Sequence, residues 1–303
     1  MKNMKNFKFL LVFLLILSIS LFTLGCGKQN GSTSSSDMET IKIYTTFYPL
    51  YDFTKKIVQD KAEVVNLTPA GVEPHDFELS PKQVAKLYDA DIFIFLGDAM
   101  EPWAKKLQNQ LSSKGITVIE VGEGLIQDDD PHIWLDPILA KEMAQRIYDG
   151  VISVDRDGED FYTQNLEGVL NKLDELDQSF AKAFSPGEKG KIITDHAILG
   201  YLAKRYNFEA RAITGLSPQE EPTPKTLAEL ATFCKINDIK YIFTQRGEST
   251  KLSETLAHEV EAQILELNPL ESLRQEDIDK KEDYFSIMEK NLANLQRAMK
   301  KDE

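Results

Sequence analysis

From Ile41 onward, short β-branched or apolar runs alternate with longer segments of helical periodicity, the pattern of parallel sheets covered by helices. Residues 41–44 predict a first strand leading into a helix over 53–58, and residues 64–67 a second strand. Residues 92–96 are five apolar positions between Asp91 and Gly97 and predict a strand buried on both faces. Between the last two, Ser80 can cap a helix, Pro81 suits its first position, and Val84, Leu87 and Tyr88 fall on one face. A second set of βα units follows Gly190, with strands predicted at 191–194, 241–244 and 263–267. A helix opens there at Thr223-Pro224 and carries Leu227, Leu230, Ala231 and Cys234 at helical spacing.

A polar stretch over 159–184 joins the two sets. Phe161, Leu166, Val169, Leu170, Leu173, Leu176 and Phe180 recur in it at three- and four-residue intervals, which predicts one amphipathic helix ended by Ser185-Pro186-Gly187. A helix of about 25 residues extends ~37 Å, enough to act as a stiff backbone for two lobes. The expected fold class is therefore α/β: two βα lobes with mainly parallel sheets, at 39–158 and 186–303, joined by a linker helix at 159–185.

The chain of 303 residues opens differently. Lys2, Lys5 and Lys8 precede an apolar run over 9–24 that stops at Gly25-Cys26, the layout of a secretory signal peptide over 1–25. The run is short of the ~20 apolar residues of a membrane-spanning helix and lacks a stop-transfer cluster. Thr23-Leu24-Gly25-Cys26 resembles a bacterial lipobox, with threonine where leucine is usual, so Cys26 is the expected lipidation site. Residues 26–38, rich in Gly, Ser, Asn and Gln, read as a flexible tether.

Only Cys234 remains after Cys26, which excludes an intramolecular disulfide framework in the body and leaves stability to packed cores. Cys234 itself reads as core packing. The formal net charge of −14 makes nucleic acid a poor partner.

The four histidines carry the candidate chemistry. His75, His132 and His196 each stand in a segment that reads as a loop between a strand and a helix, where open α/β folds place ligands. Three imidazoles leave one tetrahedral position on zinc for a carboxylate or water. His258 lies among charged residues in a helical segment over 252–259 and reads as a solvated position. The run Asp128-Asp129-Asp130 reads as a solvated turn.

Four stretches then match a known family: 73–81 (EPHDFELSP), 131–137 (PHIWLDP), 195–203 with Asp195-His196-Ala197 and Gly200-Tyr201-Leu202-Ala203, and 213–222 (ITGLSPQEEP). In that order they closely resemble the cluster A-I substrate-binding proteins of zinc and manganese ABC transporters, from about Ile41 to the C-terminus. The resemblance implies a metal held in the cleft between two lobes. His75 and His132 would be the ligands of the first lobe and His196 the first of the second. The fourth ligand would be Glu271, in the loop over 267–273 after the last strand, with water as the alternative.

Manganese members look to have glutamate where this chain has His196, and 214–218 resembles the zinc branch. Three neutral imidazoles and a carboxylate also suit Zn²⁺ better than Mn²⁺. The long His-rich loop of many zinc members is reduced here to Gln127-Asp128-Asp129-Asp130. The implied function is that of an extracytoplasmic, lipid-anchored zinc-binding component of a metal-uptake ABC transporter. It would work as a monomer at the outer face of the cell membrane and deliver the ion to the permease and its ATPase, without being an enzyme. A manganese or broader divalent-metal binder is the alternative within the family. From other classes stand a secreted mono-zinc hydrolase, for which the chain lacks a His-Glu-x-x-His helix or an evident general base, and a surface adhesin.

Overall fold

The computed structural model describes residues 40–184, 190–245 and 251–299. The signal peptide, the tether and Cys26, like the helix-ending Ser185-Pro186-Gly187, lie outside the described residues.

The first sheet has strands β1 (Ile41–Thr45), β2 (Ala62–Asn66), β3 (Ile92–Phe95) and β4 (Thr117–Glu120), in the order β2-β1-β3-β4. The second repeats that order with β5 (Lys191–Thr194), β6 (Glu209–Ala212), β7 (Tyr241–Thr244) and β8 (Gln263–Glu266), as β6-β5-β7-β8. All pairings within the two sheets are parallel. The strand over 92–95 is buried at every position, as its unbroken apolar run requires of a central strand covered on both faces.

Helices α1 (Tyr48–Val58), α2 (Pro81–Leu87), α3 (Pro102–Ser112) and α4 (Pro137–Val154) complete the first lobe. The second lobe adds α6 (Gly200–Tyr206), α7 (Pro224–Ile236), α8 (Lys251–Glu259), α9 (Gln275–Asp279) and α10 (Tyr284–Met299). Their starts follow local chemistry. Ser80 and Gln83 form a reciprocal capping box ahead of α2. Asp136 accepts from the amides of Ile138 and Leu139 at α4, and Thr223 from that of Thr226 at α7, each followed by proline. Helix α1 begins five residues before the predicted start, which no capping side chain marks: Phe47 makes no side-chain cap, and Pro49 sits in the first turn.

Between the lobes runs α5 (Glu159–Ala183), which buries Tyr162, Leu166, Val169, Leu173, Leu176 and Phe180 along one stripe. It packs against α1 and α4 of the first lobe and against α10. At its C-terminal end Phe180 stacks on Tyr206 of α6 with ring centroids 5.4 Å apart, and Tyr206 donates to Asp177 over 2.8 Å.

The main apolar core is continuous across the lobes. Ile43 and Trp134 of the first, Leu173 of the helix, and Leu202, Tyr284 and Met288 of the second belong to one packed cluster, with a smaller satellite core in each lobe. Wide separation of the lobes would expose this surface at about 25 cal/mol per Å². The lobes are therefore held as a stiff pair. Cys234 is buried in the second lobe's satellite core, where burial pushes its thiol up to about 11, in keeping with an inert packing role.

Candidate metal centre

Four loops at the carboxyl ends of strands deliver the candidate ligands: His75 after β2, His132 after β4, His196 after β5 and Glu271 after β8. One donor atom from each lies within 4.8 Å of every other. His132, His196 and Glu271 are fully buried, and the His75 side chain is 7 % exposed. His258, the fourth histidine, lies on the exposed face of α8.

Each loop is shaped locally. The His75 loop leaves β2 through Thr68, whose hydroxyl donates to the Thr46 carbonyl over 2.6 Å, and the His75 amide donates to Glu73 Oε1 over 3.1 Å. The His132 loop turns on Asp130, whose Oδ1 accepts from the His132 amide at 3.0 Å and lies 2.7 Å from its Nδ1. In the His196 loop, Asp195 Oδ1 accepts from the His196 amide at 2.7 Å and stands 3.1 Å from Nδ1, while Oδ2 accepts from the Gln245 amide at 2.8 Å. The Thr214 hydroxyl donates to the Asp195 carbonyl over 3.1 Å, which ties the stretch over 213–222 to this loop.

These carboxylates fix the imidazole tautomers. Asp130 and Asp195 accept only when Nδ1 of His132 and of His196 carries the hydrogen, which leaves Nε2 of each ring with its lone pair. Both Nε2 atoms point at Glu271 Oε1, each at 3.3 Å, and His75 Nε2 stands at the same 3.3 Å. Nε2 of His132 and Oε2 of Glu271 have no hydrogen-bond partner among the described residues, although both are buried. Electron-rich atoms turned towards one another in a buried site need positive charge between them. Metal–ligand bonds of about 2.0 Å in a tetrahedron put neighbouring donors about 3.3 Å apart, so the three nitrogen–oxygen spacings fit a tetrahedral divalent ion.

Without an ion, protons supply that charge. Burial disfavours the His196 imidazolium, but Asp195 and Glu271 outweigh it and push the ring up to about 10; His132 rises for the same reasons, with Asp130 in place of Asp195. Burial would raise the Glu271 carboxyl, yet the three histidines that face it hold it well below its ordinary value.

The structure brings together all four residues named from the sequence. It also corrects one reading: Asp128 and Asp129 form an exposed turn, but Asp130 is turned inward onto His132. Asp195 has the matching role on His196. A carboxylate one or two residues ahead of a loop histidine, close enough to reach its Nδ1, was the available signal for both. Across the lobes, the Tyr201 hydroxyl of α6 donates to the Asp130 carbonyl and accepts from the Gln127 amide, both at 2.8 Å. Gly200 is confined by the same contact, since a Cβ there would stand 2.5 Å from Asp130 Oδ2. Arg205 Nε lies 2.6 Å from Asp136, the cap of α4.

The loop carrying Glu271 is strained. Leu270 has φ 64°, a left-handed conformation that costs a leucine about 1–2 kcal/mol, and its side chain is fully buried.

Comparison with known proteins follows the same lines. Residues 43–298 match the family model described as "Zinc-uptake complex component A periplasmic". The chain is 35% identical to the high-affinity zinc uptake system protein ZnuA of Bacillus subtilis, over 94% of this chain and 96% of that protein. It is 36% identical to the zinc-binding lipoprotein AdcA of Streptococcus pneumoniae over 94% of its own length, but spans only 60% of AdcA. The crystal structure of the Zn(II)-bound ZnuA-like domain of that AdcA superposes with a TM-score of 0.78 at 39% identity, covering 86% of this chain and all of that domain.

Proposed function

The chain belongs to the family of periplasmic zinc-uptake components, and on that premise we propose that His75, His132, His196 and Glu271 capture one Zn²⁺ for import. The protein is the extracytoplasmic solute-binding part of an ABC transporter and is not an enzyme, as membership of the family entails. Zinc is its cargo.

The observation that carries the ligand assignment is the convergence of three Nε2 atoms on one Glu271 oxygen at 3.3 Å, with two of the rings locked by aspartates into the tautomer that donates a lone pair. Three nitrogens and one carboxylate suit zinc, whereas Mn²⁺ prefers more oxygen ligands. With Glu271 in the fourth position no site is left open for an activated water, which removes the basis for a hydrolase.

Delivery would be to a membrane permease coupled to an ATPase, by a monomer anchored through a lipid on Cys26 at the outer face of the cell membrane. The division into lobes at 39–158 and 186–303, with the linker at 159–185, is part of the same reading: each lobe supplies two ligands and neither completes the site.

Metal analysis with competitive Zn²⁺/Mn²⁺ titration of the purified protein, beside its His196→Glu variant, tests the assignment. One equivalent of zinc, bound in preference to manganese, with the preference narrowed in the variant, is the expected result. Equal affinity for both ions in the wild-type protein would contradict it.

A further inference from the structure

Glu271 reaches the site on a backbone that does not favour its own conformation. Leu270, immediately before it, lies in the left-handed region with its side chain sealed in the core, so the loop keeps this shape only because its surroundings impose it. Several ties do so. Asn291 of α10 accepts from the Asn268 amide over 2.9 Å and donates to the Asn268 carbonyl over 2.6 Å, and the Leu270 amide donates to Asn268 Oδ1 over 2.8 Å. On the far side, the Gly71 amide donates to the Leu273 carbonyl at 3.0 Å.

One tie runs directly from one ligand segment to another. Trp134 Nε1 donates to the Pro269 carbonyl over 2.7 Å. Trp134 stands two residues after His132, and Pro269 two before Glu271. The indole is itself immobilised: it is fully buried, Phe47 meets it edge-on at 5.0 Å between centroids, and the Tyr284 hydroxyl donates to the Trp134 carbonyl over 2.6 Å. Its ring lies 5.2 Å from that of His132. The turn that aims His132 thus also holds the strained loop that aims Glu271, across the boundary between the lobes.

We propose that Trp134 is a positioning residue that keeps the Glu271 carboxylate on the ion, and thereby keeps the site four-coordinate and closed to water. This rests on Glu271 being a ligand. Without the indole N–H, the loop can relax from its left-handed residue and withdraw the carboxylate, and more than one water can enter the space it leaves. An ion with added water is five- or six-coordinate, the geometry that Mn²⁺ accepts more readily than Zn²⁺. Trp134 would then act on metal discrimination without touching the metal.

The test is Co²⁺ substitution in the full chain, because visible bands of Co²⁺ are intense in tetrahedral sites and weak when the coordination number rises. Wild type, Glu271→Ala and Trp134→Phe are compared at saturating Co²⁺, with circular dichroism as the check on folding. Expected are intense bands in wild type, weak bands in Glu271→Ala, and intermediate to weak bands in Trp134→Phe, with zinc affinity in the last reduced roughly 10- to 100-fold. Should Trp134→Phe not fold, benzothienylalanine in place of tryptophan deletes the N–H while keeping the shape of the ring. Trp103 Nε1 has no hydrogen-bond partner among the described residues, so that replacement reports on Trp134. Weak bands in Glu271→Ala beside wild-type bands and affinity in the Trp134 variants would overturn the proposal and leave the ligand assignment standing. Bands and zinc affinity both unchanged in Glu271→Ala would overturn both.

Discussion

Asp130 Oδ1 lies 2.7 Å from Nδ1 of His132, while the backbone carbonyl of the same aspartate accepts the Tyr201 hydroxyl from the opposite lobe at 2.8 Å. One residue therefore sets the tautomer of a candidate ligand and ties its loop to the helix that follows His196.

Removing that carboxylate should weaken metal binding without unfolding the protein. Asp130→Ala is expected to lower zinc affinity roughly 10- to 100-fold, the usual effect of losing a carboxylate behind a ligating histidine. Asp128→Asn, two residues away in the exposed turn, should leave affinity unchanged. Competitive chelator titration of both variants is the check, and equal affinities would refute the role given to Asp130.

Tyr201→Phe deletes a single hydroxyl that bridges the lobes. It leaves the Gln127 amide and the Asp130 carbonyl short of one partner each, a loss of about 1 kcal/mol in unfolding free energy. Denaturant unfolding with metal chelated should show a lower midpoint at unchanged slope.

The sequence made much of this legible, for reasons that particular residues show. An unbroken apolar run marks β3, short β-branched or apolar runs mark β5 and β7, and a cap followed by proline marks α2 and α7. The stripe from Leu166 to Phe180 marks α5 almost to the residue. Strands β4 and β6 carry no such mark: they are edge strands, Thr-Val-Ile-Glu and Glu-Ala-Arg-Ala, whose half-exposed positions do not alternate cleanly. Of the candidate site, the histidines are legible because loop imidazoles at matching topological positions are scarce in a chain with only four. The inward turn of Asp130 is not, since a run of three acids looks alike whether it faces water or a ring. Nor is the left-handed Leu270, a conformation that its residue type argues against and that only tertiary ties sustain.

Glu101 allows a pH prediction away from the ligands. Its carboxyl is buried where β1 and β3 diverge, and burial pushes it up to about 7 although the Thr46 hydroxyl and the amides of Gly97 and Leu96 pull it back. Folding thus favours the protonated form. The stabilisation is complete below the ordinary value of 4.5 and is lost as pH rises through about 7. Between about pH 5 and about pH 8 the Tm of the chelated wild type should fall more than that of Glu101→Gln, which keeps the shape without the charge. Parallel Tm profiles would contradict the shift.

Metal removal should cost stability, since the ion binds only the folded arrangement of four distant loops. A free ion a thousandfold above Kd stabilises by about 4 kcal/mol, so chelation should lower Tm by several degrees. His196→Ala should abolish the difference between the metal-loaded and chelated protein.

The most direct measurement is zinc-edge X-ray absorption on the purified, metal-loaded protein. Three imidazole nitrogens and one carboxylate oxygen at about 2.0–2.1 Å, in a four-coordinate sphere with no water, is the result expected. A sphere with fewer than three imidazoles, or one of five or six oxygen-rich ligands, would contradict the closure of His75, His132, His196 and Glu271 on a single ion.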